Sequence, residues 1–112
     1  MLSGTIQNSY STGNVSVNAG SHAAGFVGVI NAGGTANKSF TTSNVTASTS
    51  SAGYFRSSTS SGTGIIVNCY YSASSIVTHK GTALDRAEED GAKRDYLSNF
   101  TNKEFLQGKM YF

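Results

Sequence analysis

Six carboxylates, two histidines and one cysteine are the side chains of this 112-residue sequence that could support acid–base, metal or nucleophilic chemistry. Residues 1–77 contain no carboxylate; Asp85, Glu88, Glu89, Asp90, Asp95 and Glu104 all lie in the last third. Sugar hydrolysis or elimination needs paired carboxylates, or a basic residue against an acidic sugar. The first two thirds of the chain lack that equipment. The spacing of Asp85, Glu88, Glu89 and Asp90 does not follow the calcium-loop pattern and reads as the solvated face of a helix. His22 falls in a turn, and neither His22 nor His79 has further metal-type ligands at useful spacing. Ser and Thr abound, but no serine has a partnered base that would make it a nucleophile. The lone Cys69 excludes an intrachain disulfide and reads as a small buried filler. The expectation is no catalytic residue, no metal and no cofactor.

Binding is the remaining chemistry. Tyr54-Phe55-Arg56 sets two aromatic rings beside a guanidinium, next to a loop (57–64) of Ser, Thr and Gly only. Exposed together, these side chains would form a recognition patch for a glycan or a matrix protein. Buried, they would be core. The columns Ser11/Thr41/Tyr71 and Thr12/Thr42/Ser72 raise a second idea, a row of hydroxyls that orders water or bonds a glycan. Solvated strand edges and turns explain those columns better.

The elements that position these residues are set by a repeat. Ile6-Gln7-Asn8-Ser9-Tyr10-Ser11-Thr12-Gly13-Asn14-Val15 returns thirty residues later as Ala36-Asn37-Lys38-Ser39-Phe40-Thr41-Thr42-Ser43-Asn44-Val45. Its first half returns again as Ile66-Val67-Asn68-Cys69-Tyr70-Tyr71-Ser72, and the third unit, which starts at Ile65, stops repeating after Tyr71. A second phrase, Ala24-Gly25-Phe26-Val27-Gly28, returns 28 residues on as Ala52-Gly53-Tyr54-Phe55-Arg56. A fixed period of this length marks a repeat architecture.

Each unit predicts three short strands: Thr5–Ser11, Val15–Val17 and Ala23–Ile30. Gly/Asn turns separate them. Such a unit cannot bury its apolar side chains alone, and stacking copies in parallel solves this. The expected fold is therefore all-β, a short right-handed parallel β-helix with three strands per ~30-residue coil. Domain bounds follow: repeats over 1–77 (4–34, 35–64 and 65–77) and a capping segment over 78–112. Tyr10, Phe40 and Tyr70 should stack as a ladder, with their bulk inside.

Charge marks the boundary between the two parts. Before Thr78 the charged side chains are Lys38 and Arg56 alone, and the net charge is +2. No basic stripe exists to follow a phosphate backbone, so a nucleic-acid partner is excluded. No apolar run is long enough for a membrane span. After Thr78, segments 83–92 and 93–100 are helix-compatible, separated at Gly91. Thr101-Asn102-Lys103-Glu104 has the form of a capping box ahead of Phe105-Leu106. Met110-Tyr111-Phe112 closes the chain. The expectation is a small helical C-terminal cap over the last coil.

The two phrases resemble the GLUG repeat of bacterial surface proteins, over roughly residues 4–72. That family carries an I-x-N-S/C-Y-S-T-G-x-V phrase followed by G-G-L-V-G. Phe40, Ser43 and Tyr54-Phe55-Arg56 depart from the pattern. The resemblance implies a β-helical stalk in a secreted or surface-anchored adhesin, as also occurs in some immunoglobulin A peptidases. It implies no catalytic residues. The partner expected is then the remainder of a larger surface polypeptide, because something must cover the first coil. Weak self-association through the open strand edges of residues 5–17 is the other expectation. Recognition of a host glycan or protein through Tyr54, Phe55 and Arg56 is the alternative function.

Overall fold

The computed structural model describes residues 2–19, 22–57, 64–89 and 91–101, without the side chains of Leu97 and Thr101. The expected capping box, the apolar strip at 110–112 and most of the loop 57–64 lie outside the described residues.

The protein is all-β. The first repeat forms β1 (Thr5–Gln7), β2 (Tyr10–Ser11), β3 (Val15–Val17) and β4 (His22–Ala24). The second forms β5 (Thr35–Asn37), β6 (Phe40–Thr41), β7 (Val45–Ala47) and β8 (Ser51–Gly53). The third forms β9 (Ile65–Val67), β10 (Cys69–Ser72) and β11 (Val77–His79). The chain continues through β12 (Thr82–Ala83), β13 (Glu88–Glu89) and β14 (Ala92–Asp95) to a 3-10 helix, Leu97–Thr101.

Each strand of one unit pairs in parallel with its copy in the next. Thr5 faces Thr35 and Thr35 faces Ile65; Tyr10 faces Phe40 and Phe40 faces Tyr70. The sheets run β1-β5-β9, β2-β6-β10-β14-β13, β3-β7-β11-β12 and β4-β8. The third sheet corrects the expectation that repetition ends at Tyr71. Val15 faces Val45, and Val45 faces Val77, 32 residues further on. A turn at Ala73-Ser74 sits between β10 and β11, where the extra two residues are taken up.

The expected strand count of three per unit becomes four in the first two units. Asn8, Lys38 and Asn68 hold φ of 54°, 51° and 52°. A left-handed residue cannot continue a strand, and asparagine tolerates it best among non-glycine residues. It splits the first expected strand at the same column in every unit. The expected strand Ala23–Ile30 shortens to β4, followed by single bridges at Val27 and Ile30.

The second phrase repeats with an offset of 29, not 28. Ala23 faces Ala52, Ala24 faces Gly53, and Val27 bridges Arg56. Phe26 therefore stacks on Phe55, with ring centres 4.7 Å apart. A one-residue slip moves every side chain to the other face, so burial of the phenylalanines decides this register.

The main core contains Ala36, Val45, Ala47, Ala52, Tyr54, Phe55, Ile66, Cys69, Tyr71 and Val77. The column Tyr10/Phe40/Tyr70 points the other way, which corrects the inward placement expected from bulk. Successive side chains alternate in direction, and Cys69 and Tyr71 take the inside. Phe40 instead sits in an outer layer, 5.3 Å from the Tyr10 ring and 5.0 Å from that of Phe100. Tyr10, in the first unit, is left 65% exposed. The hydroxyl column is not a solvent-facing row either: Thr41 and Tyr71 are buried. Ser11 donates to the Gly25 carbonyl at 2.6 Å and lies 2.8 Å from Thr41 Oγ1.

The tail corrects the helices expected at 83–92 and 93–100. Lys80-Gly81, with φ of 50° and 80°, turns β11 back into β12 as a two-residue hairpin; both positive φ values match the type I′ turn that strand twist favours. β14 then adds in parallel to the free edge of β10, and β13 folds back on β14. The pull is the unpaired edge of β10, whose N–H and C=O groups need partners. Gly91 sits at the bend with φ of 109°, where a Cβ would lie 2.3 Å from the Ile66 carbonyl oxygen. Among the described residues the helical cap reduces to the one 3-10 turn that carries Phe100.

Candidate functional site

The side chains of Tyr54 and Phe55 do not form a surface patch. Tyr54 is 5% exposed and Phe55 is fully buried. The Tyr54 ring stacks on Tyr71 with centres 4.7 Å apart, and its hydroxyl donates to the Leu84 carbonyl at 2.5 Å. The Tyr71 hydroxyl donates likewise to the Arg86 carbonyl at 2.5 Å. These two bonds tie the tail across the core. Burial raises the pKa of both phenols, reinforced by the negative charge of Asp85 at Tyr54 and of Glu89 at Tyr71. Arg56 is half-buried, and its Nη1 donates to the Ser57 carbonyl at 2.6 Å.

The backbone of these same three residues makes the site. On one side, this segment bonds to the first unit. The Gly25 N–H donates to the Tyr54 carbonyl at 3.0 Å, and those of Phe26 and Val27 donate to the Phe55 carbonyl at 3.3 and 3.0 Å. On the other side, among the described residues, the third unit supplies no strand, and sheet β4-β8 has two. The outward N–H groups of Tyr54, Phe55 and Arg56 would be buried without acceptors, a costly state.

Glu89 fills that place. Its Oε2 accepts from the Tyr54 N–H at 2.8 Å; its Oε1 accepts from Phe55 at 2.7 Å and Arg56 at 3.1 Å. The residue is 2% exposed, and its carboxylate lies 3.6 Å from the Arg86 guanidinium. Hydrogen bonds to a charged acceptor are roughly twice as strong as neutral ones, and three of them offset much of the cost of burying the charge. His79 extends the arrangement by one step. Its Nδ1 accepts from the Ala52 N–H at 2.9 Å, and the Lys80 N–H donates to the Ser50 carbonyl at 3.1 Å. Gly53 permits the close approach: a Cβ there would sit 1.6 Å from the Arg56 carbonyl oxygen and 3.0 Å from Glu89 Oε2.

Chemically this is a carboxylate held as a fixed acceptor by backbone donors. Both of its oxygens accept backbone hydrogen bonds, and its side chain is fully buried. The expectation of a solvated helix face at Asp85–Asp90 is thus corrected at Glu89: the run is not helical, and Glu89 is buried while Glu88 is exposed. Asp85 pairs with Arg94 at the surface. His22 is exposed on β4, with its Nδ1 2.9 Å from Ser57 Oγ. Cys69 is buried, its Sγ bonded to the Val67 carbonyl at 3.3 Å. Burial pushes its thiol pKa up to about 11.

A surface cleft of about 370 Å³ lies against Ala73, Arg94, Asp95 and Tyr96. Asp95 Oδ1 is already used there by the Tyr96 N–H at 2.8 Å and Asn99 Nδ2 at 2.7 Å. Among the described residues, no three His, Cys, Asp or Glu side chains converge as a metal site, and no helix is long and apolar enough to cross a membrane.

Nothing in an acidic run marks one glutamate as buried. The available signal was indirect: the Ala-Gly-aromatic phrase occurs twice, whereas the phrase that opens at Ile6 returns at Ala36 and Ile66, so one sheet ends a strand early. Comparison with family models, with curated proteins and with solved structures finds no significant match to this chain.

Proposed function

We propose that the chain is a non-catalytic structural module, a short right-handed parallel β-helix that serves as a stalk or spacer in a secreted or cell-surface adhesin. The observation that carries this reading is the thirty-residue parallel register, Thr5 on Thr35 on Ile65 and Tyr10 on Phe40 on Tyr70. A stack of equivalent strands spaced ~4.8 Å apart sets a distance along an axis, which is what a spacer supplies. The adhesin context rests on the resemblance to GLUG repeats, and with it the larger surface polypeptide as partner. Burial of Tyr54 and Phe55 in the core favours the spacer over recognition of a host glycan or matrix protein through those side chains.

Among the described residues the first unit is open on its far side, since β1, β2, β3 and β4 each end a sheet. Residues 1–37 carry no Asp, Glu, Lys or Arg, although charge is the usual protection of an exposed strand edge. That end is where preceding repeats, or more weakly a second copy, would add. A glycan and matrix-protein binding screen on the full chain tests the reading. No binding by a chain folded as β by circular dichroism is the expected result. Binding that is lost in a Tyr54→Ala/Arg56→Ala variant shown to remain folded would overturn it.

A further inference from the structure

We propose that the backbone N–H groups of Tyr54, Phe55 and Arg56 form a carboxylate-binding site whose resident ligand is Glu89, and that this contact stops the strand stack. The comparison is internal to the molecule. In the first unit the corresponding N–H groups of Gly25, Phe26 and Val27 are satisfied by strand carbonyls of the second unit. One unit up, no strand follows among the described residues, and two carboxylate oxygens take the place of those carbonyls at 2.7–3.1 Å. Glu89 is placed by its own strand pair: β13 bonds to β14, with Glu89 facing Ala92, and β14 is fixed in parallel on β10. The carboxylate is therefore delivered by the tail to the second-unit edge that the third repeat does not cover. The donors need a carboxylate or a strand; the glutamate supplies the first and excludes the second. This inference stands on the local geometry and does not depend on the adhesin context.

The test replaces Glu89 in the full chain and asks for chemical rescue. Glu89→Ala vacates the site while leaving the donors. At pH 7 in chloride its melting temperature is expected to fall by roughly 10 °C. Acetate at matched ionic strength, a free carboxylate small enough for the vacated space, recovers part of that loss, and chloride does not. By sedimentation Glu89→Ala self-associates in chloride as the opened edge pairs with a second copy, and acetate suppresses this. Unchanged stability in Glu89→Ala, equal effects of acetate and chloride, or a variant that stays monomeric would each overturn the proposal. Glu89→Gln decides the case in which Glu89→Ala does not fold. A folded, near-isosteric amide with lowered stability supports the carboxylate, and unchanged stability refutes it.

Discussion

Cys69 occupies the column held by Ser9 and Ser39, and all three make one bond. Ser9 Oγ donates to the Gln7 carbonyl at 2.9 Å, Ser39 Oγ to the Asn37 carbonyl at 3.0 Å, and Cys69 Sγ to the Val67 carbonyl at 3.3 Å. The reading of Cys69 as a small filler came from that column, and its side chain is accordingly buried. Its thiol pKa is raised from 9.0 to about 11 by burial, so the folded state holds the proton more tightly than the unfolded chain. Stability from this residue is fully present below pH 9 and is lost as pH rises from about 9 to about 11, by on the order of 2 kcal/mol. Denaturant titrations across that window should show the loss begin near pH 9 in the parent. In Cys69→Ser it should begin nearer pH 10, where Tyr54, Tyr70 and Tyr71, all raised by burial, begin to ionise in the unfolded chain. An identical pH profile in the two proteins would contradict the assignment.

At the scale of the element, the corner between β9 and β10 rests on one residue. Asn68 holds φ of 52°, a conformation that costs a β-branched residue ~1–2 kcal/mol. Asn68→Val should lower stability by about that amount in urea titrations, whereas Asn68→Gly should hold near the parent value. Equal stability of the two variants would show that the corner does not require the left-handed region. These corners show where the sequence was legible and where it was not. The thirty-residue columns placed the parallel pairs correctly, because side-chain type and period are printed in the chain. The corner residue at the same column was also printed, as Asn8, Lys38 and Asn68, but lysine in the second copy hides the conformational signal. The direction of the aromatic column was not legible. It depends on Phe100, which arrives from 30 residues beyond Tyr70 and covers Phe40 from outside. The tail strands were missed for the same reason. Segments 83–92 and 93–100 lack a periodic pattern of their own, and what they form is decided by the unpaired edges of β10 and β8.

At the scale of the whole molecule, the two ends of the stack differ. The first unit presents four uncharged edge strands and half-buried core residues, Ile6, Val15, Val17 and Phe26. The far end is covered along three of its sides, by the Lys80-Gly81 hairpin on β11, by β14 on β10, and by His79 and Glu89 on the backbone of 52–56, while β9 ends its sheet among the described residues. The described stack is thus covered along most of one end and uncovered along the other, which gives it a polarity. The closure is the feature on which this polarity depends, and residue-resolved amide hydrogen exchange on the native chain measures it most directly. The amides of Ala52, Tyr54, Phe55 and Arg56 donate to no strand, yet bonding to His79 and Glu89 should make them exchange as slowly as ladder amides within β5 and β6. Rapid exchange at these four positions, with protection elsewhere in the repeats, would contradict it and leave the 52–56 edge open.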